Sequence, residues 1–347
     1  IALRKAERLN CIDRYQPDCC IFPLRGGGIH TQAAPAREAL KFLDELLRDD
    51  PNRLDAQWLL NIAAMAADSW PEEVPEPFRI PPALTAPKPG IRSWVNAATE
   101  AGVDAFDLCG GVVTADFDGN GSLDIVTSTS DPSGAMHLYL NKGDGTFRDG
   151  TASSGLDLQR GGLNVIGADY DNDGDRDLLV LRGAWLGEDG RIGNSLLRHE
   201  GTDAQGHPRF ADVTARAGLA DRKMPTQAAA WADFDGDGAL DLFVSCESRG
   251  GAQDFPCQLF RNQGDGTFVD VAAQAGVTND RFSKGVTVGD YDNDGDADIF
   301  VSNAGECRLY RNEGGMRFTD VAQHAGVTGG HPLNFAPWFF DYDNDGW

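Results

Sequence analysis

From residue 116 onward the chain returns five times to one short pattern, D-x-D-x-D-G-x-x-D, and little else in the sequence restricts its folding so much. The first Asp of each copy falls at positions 116, 169, 233, 290 and 341, so successive copies are 53, 64, 57 and 51 residues apart. Five clusters of this kind hold more than a third of the 54 acidic residues of the 347-residue chain. Carboxylates packed so closely repel one another unless a cation sits among them. The acidity is therefore local, and each cluster reads as a site.

The copies can be compared position by position. Position 1 is Asp116, Asp169, Asp233, Asp290 and Asp341; position 3 is Asp118, Asp171, Asp235, Asp292 and Asp343; position 5 is Asn120, Asp173, Asp237, Asp294 and Asp345. Position 9 is Asp124, Asp177, Asp241 and Asp298. Only oxygen-bearing side chains occupy these places. Position 7 is Ser122, Asp175, Ala239 and Asp296, a set without a common side chain, as expected where the backbone carbonyl is the ligand. Position 6 is always Gly, which suits a sharp turn through positive φ around an ion. Position 4 is Gly119, Asn172, Gly236, Asn293 and Asn344, residue types that tolerate left-handed backbone. Hard oxygen donors in a flexible ring predict Ca²⁺, about one ion per repeat, over Mg²⁺ or Zn²⁺. An EF-hand is excluded: its position 12 needs a bidentate Glu, and the chain has Thr127, Val180, Val244 and Val301 there. The plain alternative for any one copy is an Asx-rich surface turn, and recurrence in register argues against it for all five.

What flanks the loops sets the fold class. A short apolar run enters each of the first four clusters (112–115, 165–168, 228–232, 286–289) and another leaves it (125–126, 178–181, 242–244, 299–301). A third follows at 138–140, 195–197, 258–260 and 308–310. A Gly-rich turn and a fourth run then end in a Gly-hydrophobic signature at Gly155, Gly218, Gly276 and Gly326. Four strands per unit of 50 to 60 residues predict a mainly β fold, a β-propeller of four-stranded blades, with four full units and a truncated fifth over 91–347. Further blades are expected beyond Trp347. The aromatics at position 2, Phe117, Tyr170, Phe234, Tyr291 and Tyr342, are expected to pack between blades.

The first 70 residues read differently. Apolar residues at helical spacing over 36–48 and 54–67, with Asp49–Asn52 as the turn, predict a helical hairpin that resembles one tetratricopeptide repeat. A single such repeat buries little, so more helices upstream of Ile1 or packing on a second domain are expected. Seven prolines between 71 and 89 predict an extended linker over 71–90. The longest apolar stretch, Trp58–Ala67, is interrupted by Asn61 and is too short to cross a bilayer. A formal net charge of −24 argues against nucleic acid and anionic membrane as partners. The seven cysteines do not fix a compartment. Cys246 and Cys257 flank one expected hairpin and are candidates for a disulfide, whereas Cys11, Cys19, Cys20 and His30 match no zinc spacing.

With the motifs D-x-D-x-D-G-x-x-D, N-K-G-D-G-T-F from Asn141, N-Q-G-D-G-T-F from Asn262 and F-x-D-V-x-x-x-A-G from Phe268 and Phe318, the region from about Trp94 to Trp347 resembles the FG-GAP or VCBS repeat proteins. That family includes the integrin α-subunit head. The chain is similar, more narrowly, to bacterial members of the cartilage acidic protein group, which join such repeats to a C-terminal ASPIC/UnbV domain and sometimes to N-terminal tetratricopeptide repeats. The resemblance implies a calcium-binding propeller that serves as an extracellular, cell-surface or periplasmic adhesion or interaction module for a protein or glycan partner. The longer loops 183–193 and 247–256 read first as tolerated surface insertions and second as contact sites for a partner. A propeller-based enzyme, such as a calcium-assisted polysaccharide lyase or hydrolase, is the alternative, and an architectural spacer a third. No G-x-S-x-G or H-E-x-x-H motif is present and the six His do not recur at one offset, so no catalytic residue is nominated.

Overall fold

A computed structural model describes residues 2–14, 18, 22–81, 84, 95–249, 254–329 and 333–341. The chain divides into two compact units, Ile1–Thr99 and Glu100–Trp347.

The first unit is helical. Helix α1 spans Ala2–Glu7, α2 Ala34–Asp49 and α3 Leu54–Ala66. Ala36, Ala39, Leu40 and Leu47 of α2 face Ala56, Leu60, Ala63 and Ala64 of α3, and small side chains allow the helices to approach closely. The expected linker begins later than its prolines suggest. Val74 is fully buried, Trp70 and Phe78 pack on the same core, and Asn61 holds this segment down. The buried Asn61 amide donates to the Phe78 carbonyl at 2.8 Å and accepts from Trp70 Nε1 at 2.9 Å and the Ile80 N–H at 3.1 Å. The polar residue that interrupts the apolar run is thus the anchor for residues 70–80, since a buried amide must have all its partners. The rest of the expected linker, save Pro81 and Leu84, lies outside the described residues.

The second unit is a propeller of four-stranded antiparallel blades. Blade 1 consists of β1 (Val112–Ala115), β2 (Asp124–Thr127), β3 (His137–Asn141) and β4 (Phe147–Asp149). Blade 2 has β5 (Asn164–Ala168), β6 (Asp177–Leu181), β7 (Ser195–Thr202) and β8 (Pro208–Asp212). Blade 3 has β9 (Thr226–Ala232), β10 (Asp241–Cys246), β11 (Gln258–Asn262) and β12 (Phe268–Asp270). Blade 4 has β13 (Ser283–Gly289), β14 (Asp298–Asn303), β15 (Arg308–Asn312) and β16 (Phe318–Asp320). The first strands adjoin in order, β1 beside β5, β5 beside β9 and β9 beside β13. Because side chains alternate along a strand, each blade feeds two apolar layers. Leu242, Val244 and Cys246 of β10 pack toward blade 2, and Phe243 packs toward blade 4 with Cys257 and Leu259. This alternation removes the expected disulfide: Cys246 and Cys257 are free, buried thiols in layers on opposite faces of blade 3.

The position-2 aromatics of the first three loops fill the junctions. The Phe117 ring meets Phe210 edge-on at 5.6 Å, Tyr170 lies 5.8 Å from Phe268, and Phe234 meets Phe318 edge-on at 5.8 Å. In each pair the second ring belongs to the last strand of the next blade. Tyr291 is only half-buried, and Tyr342 lies outside the described residues. Among the described residues, no helix is long and apolar enough to cross a membrane.

Candidate metal centre

Each Asp loop closes the first hairpin of its blade. The residue before position 1 pairs with position 9 across the strands, as Ala115 with Asp124, Ala168 with Asp177, Ala232 with Asp241 and Gly289 with Asp298. Eight residues must therefore coil back over a gap one strand wide. Position 6 does so at φ between +86° and +95° in Gly121, Gly174, Gly238 and Gly295. Position 4 is also left-handed, including Asn172 and Asn293, both at φ +57°.

The carboxylates divide the work. Position 1 is the hub of the loop: Asp169 accepts the N–H groups of Asp173 and Gly174 at 3.0 Å each, and Asp116, Asp233 and Asp290 bond their loops in the same way. Position 5 turns inward on its own backbone, each side-chain oxygen accepting the N–H two residues on. Position 9 is buried beneath the loop. Asp241 accepts the Phe234 N–H at 3.0 Å on one oxygen and the Asn262 N–H at 2.8 Å on the other. Asp124, Asp177 and Asp298 have the equivalent pairs. Burial raises all four position-9 carboxyls, Asp177 and Asp241 to about 7 and Asp298 to about 6. A bound cation reverses that preference by favouring the charged form.

Position 3 sets these loops apart from plain acidic turns. In Asp171, Asp235 and Asp292 the Oδ1 atom is buried and has no hydrogen-bond partner among the described residues. An unpaired buried carboxylate oxygen is costly, and a cation would satisfy it. Ligand atoms of Asp116, Asp118 and Asp124 lie within 4.8 Å of one another, as do those of Asp169, Asp171 and Asp177, of Asp233, Asp235 and Asp241, and of Asp290, Asp292 and Asp294. The structure thus gathers positions 1, 3 and 9 in three loops and 1, 3 and 5 in the fourth. At position 7 the side chains of Asp175 and Asp296 stand outside these groups; Asp175 turns instead toward His199 Nδ1, 3.5 Å away, and Ser122 and Ala239 hold this position in the other two loops. Of the fifth loop, Asp341 is described and Asp343 and Asp345 are not.

A sequence profile of the FG-GAP-like repeat matches residues 116–180, 233–301 and 290–347. The chain belongs to the FG-GAP repeat family. Cartilage acidic protein 1 of Homo sapiens is 29% identical over 218 residues, covering 62% of this chain and 31% of that protein. The Mus musculus protein is also 29% identical over 218 residues, covering 62% and 32%. The chain spans about a third of the length of these relatives. Among solved structures, a lectin of Agrocybe aegerita that recognises non-reducing terminal N-acetylglucosamine overlays with a TM-score of 0.35 at 23% identity, over 67% of this chain and 58% of that one. The V. cholerae biofilm matrix protein Bap1 gives 0.34 at 16%, over 60% and 27%.

Two kinds of residue at these FG-GAP loops escaped the sequence reading. One is a countercharge. Arg261 Nη2 lies 2.7 Å from Asp235 Oδ2, Arg148 Nη2 3.6 Å from Asp118 and Arg198 Nη1 4.0 Å from Asp171, and the charge of Arg311 acts on Asp292. The second is the Asn ending the third strand, Asn141, Asn262 or Asn312, whose N–H serves the position-9 carboxylate. The recurring pairs Arg261-Asn262 and Arg311-Asn312 were the available signal.

Proposed function

We infer that the FG-GAP loops bind calcium, about one ion per repeat, and that the chain is a calcium-stiffened binding module acting outside the cytoplasm on a protein or glycan partner. The buried Oδ1 of Asp171, Asp235 and Asp292 carries this reading, because each belongs to a close-set group of carboxylates and no hydrogen bond from the described residues reaches that oxygen. Donors that are oxygen throughout suit calcium, which accepts irregular shells of six to eight oxygens. When bound, the ion supplies charge that the carboxylates share, and the chain's part is to hold the loop closed over the first hairpin of each blade. An extracytoplasmic home fits sites of modest affinity, since calcium is abundant there. The name of the cartilage relatives is in keeping with it.

Binding is favoured over catalysis by the inner strands. β1, β5, β9 and β13 are built mainly of Val, Ala, Gly and Thr, and Lys284 is their one ionisable residue. Its ammonium is buried against Glu247 and over the Trp185 ring, out of reach of a substrate. The loop 183–193 presents Trp185 and Leu186, each nearly half exposed, as a surface for a partner.

Calorimetric titration with calcium chloride, together with thermal melting, tests the reading. At calcium a hundredfold above Kd each site adds about 2.7 kcal/mol, or roughly 5–10 °C for a unit of this size. Asp171→Ala and Asp292→Ala should each remove one site from the stoichiometry and part of the shift. No heat and no shift at millimolar calcium would overturn it.

A further inference from the structure

We propose that calcium sites 2, 3 and 4 are thermodynamically coupled in series through the side chains that end the third strands, and that site 1 stands outside the series. This rests on the calcium reading above and adds to it how the sites regulate one another.

The connection is a continuous run of hydrogen bonds. In loop 2 the Tyr170 N–H donates to Asp177 at 3.2 Å, and the carbonyl of the same residue accepts from Asn262 Nδ2 at 2.8 Å. The Asn262 backbone N–H then donates to Asp241, the position-9 carboxylate of loop 3, at 2.8 Å. Asp241 also accepts from Phe234, whose carbonyl accepts from Asn312 Nδ2 at 2.9 Å, and the Asn312 N–H reaches Asp298 of loop 4 at 2.8 Å. Loops 2 and 3 have a second tie, from Asn172 Nδ2 to the Gly238 carbonyl at 3.0 Å.

Calcium at one loop would hold its position-9 carboxylate in place against the two N–H groups that bond it. That orders the position-2 residue, whose N–H bonds the carboxylate and whose carbonyl receives the next blade's Asn amide. The next loop is then ordered at lower entropic cost, which is positive coupling. The series stops at blade 2, where His199 stands in the place of Asn. Its N–H serves Asp177 at 2.8 Å like the others, but its buried ring turns Nδ1 toward Asp175 of its own loop, 3.5 Å away, so it gives loop 1 no equivalent of the Asn amide bond. In blade 1 the loop's own amide, Asn120 Nδ2, bonds within the blade, to Asn141.

Each loop carries its own reporter. The N–H groups of Gly121, Gly174, Gly238 and Gly295 donate to the position-1 carboxylates, so their resonances in glycine-¹⁵N-labelled protein report the four sites separately during titration with calcium chloride. With site 3 disabled by Asp235→Asn, the midpoints of Gly174 and Gly295 should move to about fivefold higher calcium while Gly121 stays within twofold. Asn172→Gly, which copies the residue found in loops 1 and 3, should weaken the 2–3 coupling and leave the fold intact. His199→Asn, which copies the other three blades, should make Gly121 sensitive to Asp171→Asn, to which it is otherwise indifferent. Glycine resonances that respond to calcium with midpoints unmoved by Asp235→Asn would overturn the coupling and leave calcium binding standing. Resonances that never respond at millimolar calcium would overturn both.

Discussion

Calcium binding should expel protons, and the number can be worked from the buried carboxyls. Asp177 and Asp241 sit near 7 and Asp298 near 6, chiefly because burial disfavours their charged form. At pH 6 the first two are about nine-tenths protonated and the third about half, so filling loops 2 to 4 releases about two protons per chain; at pH 7.5 the figure falls to about half a proton. Calorimetry at each pH in two or more buffers of different ionisation enthalpy measures this directly, as the slope of observed heat against buffer heat. The same shifts fix the sign of the metal-free pH dependence. The folded chain binds these protons more tightly than the unfolded chain, whose Asp titrate near 4, so the three groups make metal-free stability fall as pH rises from about 4 to about 7. Calcium should abolish that fall. A slope near zero at pH 6, or metal-free melting temperatures that climb steadily between pH 5 and 7, would refute the assignment of position 9 as a buried, proton-bearing ligand.

Arg261→Gln removes the guanidinium 2.7 Å from Asp235, and the Gly238 midpoint should move to about three- to tenfold lower calcium while the metal-free protein melts slightly lower. Phe234→Ala empties a fully buried site between blades 3 and 4 and should cost about 3–5 kcal/mol in calcium-saturated urea denaturation, a loss below about 1 kcal/mol counting against the interblade packing.

The loops were legible because ligand chemistry and backbone geometry are local: the residue types at positions 1, 3, 5 and 9 and the Gly at position 6 need no knowledge of the fold. Strands were legible too, though β9 and β13 begin earlier than their apolar runs, at Thr226 and Ser283, since buried polar residues start both strands. What depends on register across strands was not. The countercharge of loops 2 to 4 comes from the third strand, but in blade 1 that position is Leu140 and the charge comes from its cross-strand partner Arg148. Composition alone could not place that arginine. Cys246 and Cys257 failed as a pair for a related reason: nearness along a hairpin says nothing of which face each side chain takes. In the helical unit, proline content spoke for extension, whereas Asn61 and Val74 decide in favour of packing.

The aromatic at position 2 is encoded in one repeat but completes the apolar layer of the next. The unit of sequence and the unit of folding are therefore offset by part of a blade. Dividing the array at the motif boundaries strands a ring such as Phe234 without Phe318 to cover it, and leaves a greasy end that invites association with other copies. Any cut between blades leaves the final loop's ring bare, so a grafted or exchanged set of repeats needs a capping strand with an apolar side chain over that ring.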